Sequence, residues 1–97
     1  MIYPAAEESI LTGKDCLEFR WLNNYFGIRY FVFKIYKGYN MYAQGLMYKQ
    51  NVPADNSSIK IEPVLFEDGQ VYTWSLLAIG LNGETGDKSF HSFKVIK

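Results

Sequence analysis

Along most of the chain, apolar and polar residues alternate with period two in short runs separated by turn residues. No run sustains a 3.6-residue period, and the pattern predicts an all-β chain. A clear run covers residues 16–21, where Leu17, Phe19 and Trp21 point one way and Glu18 and Arg20 the other, as in a strand with one wet face. Residues 28–36 are apolar on both faces except at Lys34. That lysine sets the register, so that Phe31, Phe33 and Ile35 are expected in the core and Tyr30, Val32 and Tyr36 outside.

The remaining elements follow from turn chemistry. A first strand is expected near Ile2 and Tyr3, then a polar stretch over 5–9, a short piece at Ile10 and Leu11, and a turn over 12–15. Turns are also expected at Asn23-Asn24 and over 37–40. Residues 41–52 hold Gly45 and no clean period of either kind, and are expected to form one short edge strand. A polar loop over 53–57 precedes a strand over 58–61 that buries Ile59 and Ile61. Pro63, which has no amide hydrogen, ends its ladder. Glu67-Asp68-Gly69 turns the chain into a strand over 71–79, and a loop over 80–87 separates this from a last strand over 88–96.

About seven short strands at this spacing predict a two-sheet antiparallel sandwich. From Phe66 onward the spacing of Phe66, Gly69, Tyr72, Trp74, Leu76, Ala78, Gly83, Ser89, Phe93 and Val95 resembles the last two strands of a fibronectin type III domain. Trp21 stands where that family carries a buried Trp on its second strand; immunoglobulin domains carry theirs on the third, beside a disulfide. The resemblance covers most of 17–95. It implies a seven-stranded fibronectin type III or immunoglobulin-like sandwich with Trp21, Phe31, Phe33, Phe66, Tyr72, Trp74 and Phe93 in its core. It also implies a tyrosine corner at Phe66, Gly69 and Tyr72, with Phe in place of the usual Leu and the Tyr72 hydroxyl bonded back to the preceding turn. The pattern from Tyr72 onward also resembles modules of bacterial multidomain surface proteins and secreted enzymes. No Arg-Gly-Asp triplet occurs over 80–87, so integrin-type binding is not carried over.

A length of 97 residues suits one domain with a single core and leaves little chain for a deep catalytic cleft. The aromatic share of 18% suits half-buried strand faces that favour rings. Ten basic residues balance ten acidic ones, so no net field gathers a phosphate backbone or an anionic membrane surface, and nucleic acid is not an expected partner. Cys16 is the only cysteine, which excludes an intrachain disulfide and a multi-cysteine zinc site. The start Met1-Ile2-Tyr3-Pro4 is unlike a signal peptide, and no stretch approaches the length of a membrane span. A module from a longer, exported protein, monomeric by itself, is the expectation.

Candidate chemistry is sparse. Cys16 and His91 are a formal nucleophile and base, but nothing in the sequence places them together or supplies an oxyanion hole. Glu7-Glu8 and Glu67-Asp68 read as solvated turns. Residues 82–86 lack the glycine spacing and lysine of a phosphate-binding loop. No catalytic residue, metal site or cofactor is expected. Aromatic crowding is the more suggestive feature: Tyr25, Tyr30, Tyr36, Tyr39 and Tyr48, with Asn82 in the loop over 80–87, form a candidate ligand surface, because exposed rings stack on sugars or anchor protein partners. Cross-strand ring pairs also stabilise sheets when nothing binds. The expected function is a non-catalytic interaction or spacer module that contacts neighbouring domains or another protein. The alternative is a polysaccharide-binding module using the tyrosine rings.

Overall fold

The aromatic residues of alternating strands meet in one core between two sheets. The computed structural model describes residues 8–11, 16–21 and 27–96. They form β1 (Glu8–Leu11), β2 (Leu17–Arg20), β3 (Ile28–Lys37), β4 (Leu46–Pro53), β5 (Ser58–Ile61), β6 (Val71–Gly80) and β7 (Thr85–Ile96), with 3-10 turns at Ala43–Gly45 and Pro63–Leu65. The strands order as β1-β7-β6-β3-β4 in one sheet and β2-β5 in the other. Pairing is antiparallel except that β1 runs parallel to β7, which departs from the wholly antiparallel sandwich expected from the sequence. The chain is an all-β sandwich.

Leu17, Phe19 and Trp21 face inward from the smaller sheet together with Ile61. They meet Phe31, Phe33 and Ile35 of β3, Tyr72, Trp74, Leu76 and Ala78 of β6, and Phe93 and Val95 of β7. Phe19 sits at the centre, its ring centroid 5.1 Å from Phe33, 5.5 Å from Trp74 and 5.6 Å from Phe93, all in edge-to-face contact. That geometry suits the ring quadrupoles and adds to the area the rings bury. Trp21 stacks on Phe33 at 6.4 Å and meets Phe31 edge-on at 6.0 Å. Phe66 lies over the end of the core, 5.1 Å from Tyr72.

Three further sequence expectations need correction. Residues 41–52 hold a 3-10 turn followed by an eight-residue edge strand, longer than expected. Their period is obscured because the β3–β4 register shifts between Ile35 and Tyr36, which leaves Met47 as an extra residue. The last strand begins at Thr85 rather than 88, since Gly86 and Asp87 are absorbed in a register shift opposite Ala78. Val32 and Tyr36 lie on the outer face of the larger sheet, as their alternation with the core residues requires, yet both are buried, Tyr36 to 5% exposure. The start of the β3–β4 connection closes in beside Tyr36: the Thr73 hydroxyl, on the neighbouring strand of that face, donates to the Gly38 carbonyl at 2.7 Å. Having given its proton there, Thr73 accepts from Ser92 at 2.8 Å. The strand expected near Ile2 and Tyr3 and the turns at 12–15 and 23–24 lie outside the described residues.

Candidate functional site

The expected tyrosine platform is not one surface. Tyr48 turns to the core side of β4, where its ring meets Phe33 edge-on at 6.0 Å and its hydroxyl donates to Gln50 Oε1. Tyr36 is buried, as above. Tyr30 is half-buried near the start of β3, paired with Pro53 and Ile79, whereas Tyr39 is 71% exposed beyond the other end of that strand. Asn82 is exposed in the β6–β7 hairpin, and Tyr25 lies outside the described residues. The core residues named from the sequence, Trp21, Phe31, Phe33, Phe66, Tyr72, Trp74 and Phe93, are all buried in one cluster.

What the structure does bring together is a groove along one open side of the sandwich. Its walls are Tyr48 of β4, Lys60 and Ile61 of β5, and Glu62, Val64 and Leu65 of the following 3-10 turn, enclosing about 400 Å³. Pro63 sets the first turn of that short helix, where a missing amide costs nothing, and the turn lifts Val64 to 82% exposure. Leu65 packs back against the core, so the groove floor is apolar and its rim carries one cation and one anion. Exposed Tyr39, Tyr42 and Leu46 belong to the β3–β4 connection and the first residue of β4, at the same end of the molecule as the turn that leads into β6. Sequence reasoning missed this site because Tyr48 and Val64 meet only through the packing of the two sheets.

The outer face of the larger sheet has its own character. Registers place Lys34 of β3 directly opposite Lys49 of β4, with Lys88 and Lys94 further across on β7, and Phe90 between them is 58% exposed. A neutral total charge conceals this segregation of lysines to one face. Among the described residues, neither Lys34 nor Lys49 has a carboxylate partner.

The titratable and nucleophilic groups do not assemble. Cys16 is an exposed free thiol just before β2, on the smaller sheet, whereas His91 faces inward from β7 of the larger one, 5.4 Å from the Trp74 ring. Burial pushes the His91 imidazole below its ordinary pKa, and its Nε2 has no hydrogen-bond partner. Trp21 Nε1, whose ring lies 6.5 Å from that of Trp74, is likewise buried and unpaired. Glu67 and Asp68 are exposed in the turn before β6. Among the described residues no group of three or more His, Cys, Asp or Glu gathers, and no helix is long and apolar enough to cross a membrane. No family model matches the chain, and no curated protein matches it.

Proposed function

We propose that the chain is a fibronectin type III-like, non-catalytic interaction module of a larger, exported protein, docking another polypeptide at the open groove between β4 and β5. The observation that carries this reading is the placement of exposed apolar side chains. Val64 stands out in the groove itself, and Tyr39, Tyr42 and Leu46 are exposed in the β3–β4 connection and at the start of the strand that walls it. Apolar side chains around a formed groove are the usual anchors of a protein interface. The fibronectin type III assignment is supported by the facing of β2-β5 against β1-β7-β6-β3-β4, by buried Trp21 directly after β2 with its edge-on Phe31 contact, and by the Tyr72 hydroxyl turned to the Glu67 amide. The polysaccharide alternative needs a coplanar row of rings. Tyr36 and Tyr48 are withdrawn from such a row, and Tyr30 and Tyr39 flank opposite ends of β3.

The test is site-specific photo-cross-linking in the native host, with the reactive group in place of Val64 and, as a control, in place of Arg20 on the outer face of the smaller sheet. A polypeptide captured from Val64 and not from Arg20 supports docking at the groove. Equal capture from both positions, or none from Val64 while amide spectra of the chain shift saturably with a soluble polysaccharide, overturns it.

A further inference from the structure

The groove has a strand for one wall, and that strand ends a sheet. β4 pairs with β3 on one side only, so alternate amides and carbonyls along Leu46–Pro53 point away from the sheet. Its side chains divide cleanly: Tyr48, Gln50 and Val52 take the core side, and Lys49 and Asn51 the outer face. The Lys49 pairing with Lys34 puts two ammonium-bearing side chains in directly opposite positions, about 5 Å apart at their Cβ atoms. A like-charge pair at that spacing opposes the strand pairing it sits on, and no described carboxylate relieves it.

From this geometry we infer that the β4 edge receives an extended acidic segment of a partner polypeptide, added as a further strand with alternating acidic and apolar side chains. Its acidic positions fall beside Lys49 on the outer face and turn the Lys34–Lys49 row into a lysine, lysine, carboxylate row. The intervening positions point to the groove side, toward Tyr48, Ile61, Val64 and Leu65. Main-chain hydrogen bonds supply the common affinity of strand addition, and the alternating side chains supply the choice of partner. Pro53 has no amide hydrogen to offer, so the receiving ladder runs no further than Val52. A lysine on an edge strand ordinarily guards against unwanted pairing. Here the guard is selective, because it repels basic strands and attracts acidic ones. A second copy adding symmetrically about Lys49 through its own β4 would lengthen the lysine row, so the charge pattern disfavours self-pairing.

This inference rests on the interaction-module reading, and the two fail separately: cross-linking from Val64 tests whether any polypeptide docks, whereas the next experiment tests strand addition and its charge preference. The full 97-residue chain is titrated at low salt with two end-blocked octapeptides, one alternating valine and glutamate, the other valine and lysine, and followed by amide NMR and hydrogen exchange. The expected result is saturable shifts and slowed exchange confined to β4 and the groove residues. The lysine peptide binds about tenfold more weakly, or worse. The double variant Lys34→Glu, Lys49→Glu reverses the preference, and Lys49→Gln, a milder change at an exposed site, reduces it without reversal. Equal binding of the two peptides by the native chain, shifts outside β4 and the groove, no saturable response, or line broadening that grows with protein concentration alone would each overturn the inference. A preference of undiminished size in a well-dispersed Lys49→Gln spectrum would also overturn it.

Discussion

The backbone amide of Glu67 donates a 2.6 Å hydrogen bond to the phenolic oxygen of Tyr72, closing the turn that leads into β6. The ring itself is buried against Phe66 and Phe93, so the bond pins the turn to the core through a residue that packing has already fixed. Tyr72→Phe keeps the ring and removes the acceptor, and should cost about 1 kcal/mol of stability in chemical denaturation. Burial first, then the Glu67 carboxylate, raise the Tyr72 pKa, against a lowering by the Glu67 amide. The folded chain therefore holds this proton above the pH at which the unfolded chain loses it. Stability should be full below the ordinary tyrosine value of 10.0 and fall as pH rises beyond it. In Tyr72→Phe that alkaline loss should be smaller.

Phe19 is fully buried and touches Phe33, Phe66, Trp74 and Phe93 across the sheet interface. Phe19→Ala leaves a cavity bounded by both sheets, which cannot collapse without changing their spacing. The expected cost is about 3–5 kcal/mol, a large part of the total for one domain of this size. Urea unfolding followed by tryptophan fluorescence should show the loss as a lower midpoint with an unchanged slope.

Much of the core was legible because alternation reports which face a side chain takes. Lys34 marked the face of β3 correctly, and Phe31, Phe33 and Ile35 are fully buried. Alternation does not report what covers the other face, so Val32 and Tyr36 read as outside and proved buried. Where a register shift inserts a residue the period breaks, and the two poorly read segments, around Met47 and Gly86, lie at such shifts. The groove and the lysine row were illegible for a different reason. They arise from pairing Lys34 with Lys49 and from setting β5 beside β4, which are choices of partner strand that local sequence does not encode.

His91 predicts an acid-side weakness. Desolvation lowers its folded pKa below the ordinary 6.5, so the unfolded chain binds a proton there first. Stability is full above that pH and falls as the solution is acidified through it toward the folded value. Thermal melts from about pH 7 to 5 should show a progressive drop in Tm, ahead of the carboxylate range. His91→Leu should flatten this part of the profile. A profile that stays unchanged in that variant would assign the acid sensitivity elsewhere.

Gly69 closes the turn before β6 at φ 78°, and its amide donates to the Val95 carbonyl at 2.8 Å, so the turn is tied to the last strand. An added Cβ would meet no atom within 4 Å, which leaves backbone strain as the whole effect. Gly69→Ala should cost about 1 kcal/mol or somewhat more. Gly69→Asn should cost less, because asparagine tolerates the left-handed region. Comparing the two by denaturant midpoint separates strain from any change in packing.

The Lys34–Lys49 pair gives a prediction about stability that is independent of any ligand. Because the two side chains oppose each other directly and lack a described carboxylate, Lys49→Glu replaces a repulsive cross-strand pair with an attractive one. The variant should be more stable than the native chain by about 0.5 kcal/mol at low ionic strength. The gain should shrink toward zero as salt is raised, since both groups reach solvent and are screened. Lys88→Glu, on the same face but with Leu77 as its cross-strand neighbour, lacks a directly opposed lysine and should gain less. Denaturation at two salt concentrations distinguishes the cases. A salt-independent gain in Lys49→Glu would point to strand propensity, and equal gains in both variants would point to the general charge of the face; either would displace the pair as the source. A salt-sensitive gain at Lys49 that Lys88 does not share would assign the effect to this cross-strand pair.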